Sequence, residues 1–400
     1  IASGILTGCG SADSEESTTE AEDVIITIGN LTDKTGVASG PMSIIDTALK
    51  DVVEYYNEND LIPGVTLEVI EYDDQYNPAR DLPGYESLRQ RGADFIHAAP
   101  PGAVPELLPR ANEDKYVLFV ETANMAPGEL EGGYVFSLGV SPKYEAYTLL
   151  QWIAENHEKF PQDRPAKIGA AAWRDAYSNI WFAAAKEYVE ANPDQYEWVD
   201  EFLVDFKFNW SAEIEALKDC DYVYIPVPPH VFVDDFRNVS DGHATFLGTE
   251  VQCAFMGVIE NNDLWDELDG SLFIRVTPWY NETGPMIDLI NQLLTEKHSP
   301  DQAQKFRDDG VTYLSAKQAY LMLDIVRQAV ENVGAENFDS QALYDAATSW
   351  SFEMEGVEDF CSFDKTKRMS QNYYAVYEAS GDDKTIYRMS DWMYQVMEPK

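Results

Sequence analysis

Few residues in this chain are spaced for covalent chemistry. Ser362 and Lys365 stand three apart, as an acylating serine and its lysine base do, but so short a pattern arises easily by chance. Five histidines, at 97, 157, 230, 243 and 298, lack metal-ligand spacing and read as structural or solvent-exposed. Asp73 and Asp74 suggest the start of a calcium loop, yet the later glycine and glutamate of such a loop are missing, so a solvated turn is expected. No glycine-rich phosphate loop, GxSxG elbow or HExxH pair occurs. The chain reads as a non-enzyme, with no catalytic residue, metal or cofactor expected.

The stretch 93–127 is better suited to recognition. Residues 95–97 (FIH) and 116–120 (YVLFV) are short apolar runs of the kind buried inside a sheet that is covered on both faces. Small or rigid residues follow each run, so two loops should leave the carboxyl ends of neighbouring parallel strands, the edge where open α/β sheets bind small molecules. Pro100 and Pro101 stiffen the first loop and remove amide donors, and the bare backbone of Gly102 would allow close approach by a ligand.

These runs need a scaffold, and 400 residues are more than one core usually holds, so two lobes are expected. An apolar content of 45% excludes a disordered chain. The formal net charge of -43 repels phosphate backbones and anionic lipid surfaces, so nucleic acid is excluded as a partner. At the start, Leu6, Thr7, Gly8 and Cys9 match a lipobox, in which the cysteine becomes an acylated new terminus after an export segment is removed. Residues 10–23 (GSADSEESTTEAED) read as a flexible acidic tether. Cys9 is therefore the expected lipidation site of a membrane-anchored, extracytoplasmic protein. Cys220, Cys253 and Cys361 fit no zinc or redox spacing.

Between these points strands and helices alternate. Strands are expected at 24–28, 65–72, 95–97, 116–120 and 134–140, then at 167–172, 198–206, 221–225 and 244–247, with helical patterns between them. The chain should cross between lobes near 141, at 272–279 and near 351–356. Lobe 1 would comprise 24–140 plus 278–352, lobe 2 141–277 plus 353–400, with 1–23 outside both. The expected class is α/β, with two Rossmann-like lobes of parallel central sheets joined by a three-strand hinge into a clamshell, whose cleft is the natural ligand site.

With these pieces in order, residues 24 to about 392 resemble the type I periplasmic binding proteins, in the leucine/isoleucine/valine and amide branch that serves ABC importers. The most specific piece is EYDDQYNPAR at 71–80, supported by TANMAP at 122–127, DAYSN at 175–179, DYVYI at 221–225 and GTE at 248–250. The resemblance implies ligand contacts from Ser39, Pro101, Gly102, Thr122, Ala123 and Asn124 in lobe 1, and from Tyr177 and Glu250 in lobe 2, with Glu250 taking an ammonium group. Pro101 and Gly102 stand where relatives place hydroxyls, and Pro228 where a cleft tyrosine is expected, so an amino acid, an amide and a polyamine-like cation all stay open as ligands. The implied protein is a monomeric solute receptor that captures a small polar molecule by hinge closure and delivers it to ABC permease subunits. The alternative is a ligand sensor of the same fold acting on a signalling partner.

Overall fold

The computed structural model describes residues 23–121, 125, 127–205, 207, 209–240 and 244–399. The lipobox with Cys9, the tether up to residue 22, His243 and the loop residues Thr122, Ala123 and Asn124 lie outside them.

Lobe 1 begins with β1 (Val24–Thr32), α1 (Ser39–Glu58), β2 (Val65–Asp73), α2 (Asp81–Gln90), β3 (Phe95–Ala98), α3 (Ala103–Asp114), β4 (Leu118–Val120) and β5 (Val135–Ser137). The five strands are parallel in the order β2-β1-β3-β4-β5. Parallel pairing forces each connection to cross a face of the sheet, which leaves both faces covered and explains why the inner strands β3 and β4 are mainly apolar and fully buried, while the edge strand β2 carries Glu68 and Glu71. Alternation then sorts the side chains. Ile28, Phe95 and Phe119 join a core with Leu49, Val52 and Val53 of α1, while Leu31, Ile96, Leu118 and Val120 pack on the opposite side with Leu88 of α2 and Leu107 of α3.

The chain then enters lobe 2 through α4 (Pro142–Asn156), β6 (Ala166–Trp173), α5 (Ala176–Ala191), β7 (Tyr196–Val204), α6 (Ser211–Leu217), β8 (Tyr222–Tyr224), α7 (His230–Val239), β9 (Thr245–Gly248), the short helices α8 (Glu250–Cys253), α9 (Met256–Asn261) and α10 (Trp265–Leu268), and β10 (Leu272–Arg275). It returns to cover lobe 1 with α11 (Pro285–Lys297), α12 (Pro300–Asp308), α13 (Val311–Val333) and α14 (Ser340–Ala347). The hairpin β11 (Ser351–Met354) and β12 (Val357–Ser362) precedes the closing strands β13 (Tyr373–Ser380), β14 (Thr385–Arg388) and β15 (Met393–Tyr394). The second sheet runs β14-β13-β10-β9-β8-β6-β7, with its parallel part spanning β10 to β7.

The third passage between lobes differs from the expected 351–356. Those residues form the β11–β12 hairpin, whose turn residues Glu355 and Gly356 both take left-handed backbone (φ 53° and 77°), as a two-residue turn that matches strand twist requires. Met354, Phe360, Cys361 and Phe363 join the lobe 1 core, so the hairpin belongs there and the chain crosses only at 370–373. The first and third passages touch: Ser370 N–H donates to Ser137 O at 2.9 Å, and Ser370 Oγ donates to Leu138 O at 2.8 Å.

Candidate functional site

The loops that follow the carboxyl ends of both parallel sheets meet between the lobes. On the lobe 1 side Met42, Ile44, Ile45, Ala99 and Val311 form a small apolar cluster, and Ala254, just past α8 of lobe 2, packs against it. This contact joins the lobes at a cluster to which Ala99, in the loop after β3, belongs, through the end of α8, the helix that follows β9.

Ser39 opens α1 and is half-buried, beneath a turn in which the buried Asp33 carboxylate accepts the amides of Gly36 and Ala38. The loop after β2 packs on this turn, with Gln75 and Tyr76 in left-handed backbone. The expected solvated turn is exposed over 75–79, but Asp74 itself is buried (1% exposed), and carboxylate oxygens of Asp33, Asp73 and Asp74 lie within 4.8 Å of one another. Backbone amides already engage all three, Lys34 and Gln75 on Asp73 and Tyr76 on Asp74 among them. Pro101 is half-buried, and Gly102 is exposed at the start of α3 with open space where a side chain would stand.

Asp175 caps α5 by accepting the Ser178 amide at 2.9 Å, and this sets Tyr177 in the first turn. The Tyr177 hydroxyl is turned inward, hydrogen-bonded to Glu145 Oε2 and to Thr249 Oγ1 (2.9 Å). Burial, against the lowering effect of the Tyr177 hydrogen bond and with a smaller push from the Glu250 charge, holds the Glu145 carboxyl well above the usual range, and burial does the same to the Tyr177 phenol.

Glu250 faces the hinge. Thr249 and Gln252 cap α8 reciprocally and place Glu250 at its first position. Its Oε1 accepts the amides of Val276 (2.9 Å) and Thr277 (3.0 Å), which leave β10 for lobe 1. Its Oε2 lies 3.0 Å from Arg275 Nη1, an ion pair by distance whose angle falls short of a hydrogen bond, between side chains only 0% and 1% exposed. An acid so engaged departs from the expected ammonium receptor. Pro228 follows a cis peptide bond beside the cleft.

Two groups went unnoticed in the sequence. Lys317 of α13 donates to Val276 O at 2.7 Å and to Gln371 Oε1 at 3.1 Å, so lobe 1 grips the same hinge residue as Glu250; burial holds its ammonium pKa down. A buried chain also runs through lobe 1: Asp46 accepts from Asn30 (2.7 Å) and Thr32 (3.1 Å), Asn30 Oδ1 meets His97 Nδ1 at 3.0 Å, and His97 Nε2 lies 3.5 Å from Glu121 Oε1. The legible signal was period two, since Asn30, His97 and Glu121 each stand two residues beyond Ile28, Phe95 and Phe119 on one sheet face.

The acylation pattern comes apart. Ser362 Oγ accepts from Asn372 at 2.9 Å and Lys365 is exposed, while Lys367 is the lysine that contacts Ser362. Cys220, Cys253 and Cys361 are buried and free, and no described helix is long and apolar enough to cross a membrane.

Residues 25–229 match the sequence model of a family described as periplasmic binding protein. The chain belongs to the periplasmic binding proteins. Members of this family bind small molecules outside the cytoplasm and work with the permeases of ABC transporters. Solved structures of the same fold include a branched chain amino acid ABC transporter protein of Thermus thermophilus with bound valine, at 17% identity and a TM-score of 0.77, covering 93% of this chain and 97% of that one. A fatty acid ABC transporter substrate-binding protein of Thermomonospora curvata aligns at 15% identity and TM-score 0.75 over 93% and 92% of the two chains. A solute binding protein of R. palustris in complex with benzoate aligns at 14% and 0.72 over 94% and 99%. No curated protein matches the sequence. As a periplasmic binding protein, the chain has its strand-end loops and hinge where a two-lobed receptor needs them.

Proposed function

We propose that this periplasmic binding protein captures a small polar solute, an amino acid, amide or amine, between its lobes and passes it to an ABC permease, held at the outer face of a membrane by an acylated Cys9. The observation that carries the reading is the packing of lobe 2's Ala254 on the lobe 1 cluster that includes Ala99 and Val311, beside first and third passages that are hydrogen-bonded to each other. Ser39, Pro101, Gly102, Thr122, Ala123 and Asn124 would line the lobe 1 wall and Tyr177 the lobe 2 wall, while Glu250 braces the hinge. Ligand bridging both walls favours the closed form by its differential affinity for that form alone. Capture at micromolar concentration corresponds to roughly 8 kcal/mol.

The test is a thermal-shift screen against amino acids, amides, polyamines and aromatic acids, followed by small-angle scattering on any hit. A binder should raise the Tm and shrink the radius of gyration. A screen without hits, or hydrolysis of ester or amide substrates by the purified chain, refutes the proposal.

A further inference from the structure

We propose that Glu121, beside the outer end of the buried chain Asp46–Asn30–His97, is the anionic ligand contact of this cleft, and that the solute therefore presents a primary ammonium group. This rests on the solute-binding reading above.

The tautomer follows from the hydrogen bonds. Asp46 only accepts, so the group of Asn30 that meets it at 2.7 Å is the NH2, which leaves Asn30 Oδ1 facing His97 at 3.0 Å. His97 Nδ1 therefore carries a proton, and in the neutral ring Nε2, the atom turned towards Glu121, is an acceptor, so His97 offers that carboxylate no hydrogen bond. These side chains are nearly sealed, at 0% (Asn30), 7% (Asp46), 3% (His97) and 7% (Glu121) exposed. The chain thus has a fixed inner end at Asp46 and an outer end beside Glu121, the residue that follows β4 and opens the loop 122–127. At 3.5 Å the His97 contact does not occupy the carboxylate, and among the described residues no lysine or arginine lies within ion-pair distance of it.

Helix α13 touches Glu121 and carries oxygens without hydrogen-bond partners among the described residues. Gln318 of α13 donates to Glu121 O at 3.1 Å, which ties that helix to the site. Along α13, Thr312, Ser315 and Gln318 recur at three-residue spacing, all buried, and their Oγ1, Oγ and Oε1 atoms have no hydrogen-bond partner among the described residues. A buried carboxylate without a cation beside it accepts from an ammonium and repels a carboxylate. The other acids near the hinge are engaged: Glu250 by Arg275 and two amides, Glu145 by Tyr177.

Calorimetric titration of the full chain and of Glu121→Gln decides the matter, with putrescine (cation), L-valine (zwitterion), acetamide (neutral) and benzoate (anion) as probes. The expected result is that putrescine or L-valine binds, that Glu121→Gln weakens it at least tenfold, and that acetamide changes less than twofold. Glu121→Asp, which keeps the charge on a shorter arm, should retain the preference for amine over amide and covers the case in which the Gln variant fails to fold. Equal binding of an amine by wild type and Glu121→Gln, or binding of benzoate without any amine, overturns the role of Glu121 while leaving solute capture intact. Silence of all four probes overturns the ammonium inference, and the broader screen above then decides solute capture on its own.

Discussion

Replacing Glu250 by Gln separates a hinge brace from a ligand contact. Gln is nearly isosteric and its carbonyl still accepts the Val276 and Thr277 amides, now without charge. Its NH2 then faces Arg275, donor against donor, in a place where the two wild-type side chains are 0% and 1% exposed. Arg275 keeps a hydrogen bond to Thr277 O (3.2 Å) and its packing on Trp279 (4.7 Å to the ring centre), but loses its counter-ion. Removing one partner of a buried pair costs about 3–5 kcal/mol, because the other charge stays buried. At roughly 2–4 °C per kcal/mol for a unit the size of one lobe, the Tm of the unliganded protein should fall by about 10 °C. Scanning calorimetry on the unliganded chain reads this directly. A ligand contact would instead leave that Tm unchanged and weaken binding alone. The double variant Glu250→Gln/Arg275→Met should recover much of the loss, since no lone charge remains. A single-variant shift under about 3 °C, or a double variant no better than the single, refutes the assignment.

Asp81 is buried against Asp74, and burial first, with that neighbour second, pushes its acid up to about 7. A folded pKa above the unfolded value of about 3.9 means that the folded state holds the proton more tightly, so stability is fullest below pH 4 and is lost as pH rises towards 7. Asp81→Asn should therefore gain Tm over wild type between pH 5 and pH 8, and an equal difference at both values counts against the argument. Lys317→Met removes the donor to Val276 O and Gln371 Oε1 and should cost about 1–3 kcal/mol in urea unfolding, with a larger spread of lobe separations in scattering. Unchanged stability and scattering would show that Lys317 does not hold the hinge.

Most of the fold was legible because buried parallel strands need uniform apolar runs and their crossover helices need a 3.6-residue stripe, and both patterns are local. The third passage was not, because Ser351–Met354 and a hinge strand share the same short pattern, and only the packing of Phe360 and Phe363 on lobe 1 tells them apart. Glu250 was found by position, but its direction depended on Arg275, which is 25 residues away in the chain and adjacent only in space. His97 resembled any isolated histidine, since its partners Asn30 and Glu121 reach it by strand pairing alone.

The hinge itself explains why a charge at position 250 is drawn away from a ligand. A strand crossing between lobes leaves its sheet, so the amides of Val276 and Thr277 and the carbonyl of Val276 must find side-chain partners or bear the cost of burial. A carboxylate takes both amides at once and an ammonium takes the carbonyl, and these come from opposite lobes as Glu250 and Lys317. Both lobes thus hold Val276, and rotation between lobes works against both grips together. With Glu250 committed there, charge discrimination passes to the opposite wall, where Glu121 stands beside the end of a chain of polar groups anchored in the lobe 1 core. Hinge stability and ligand charge are then set by different acids, so Glu250→Gln should move Tm, and Glu121→Gln should move ligand preference.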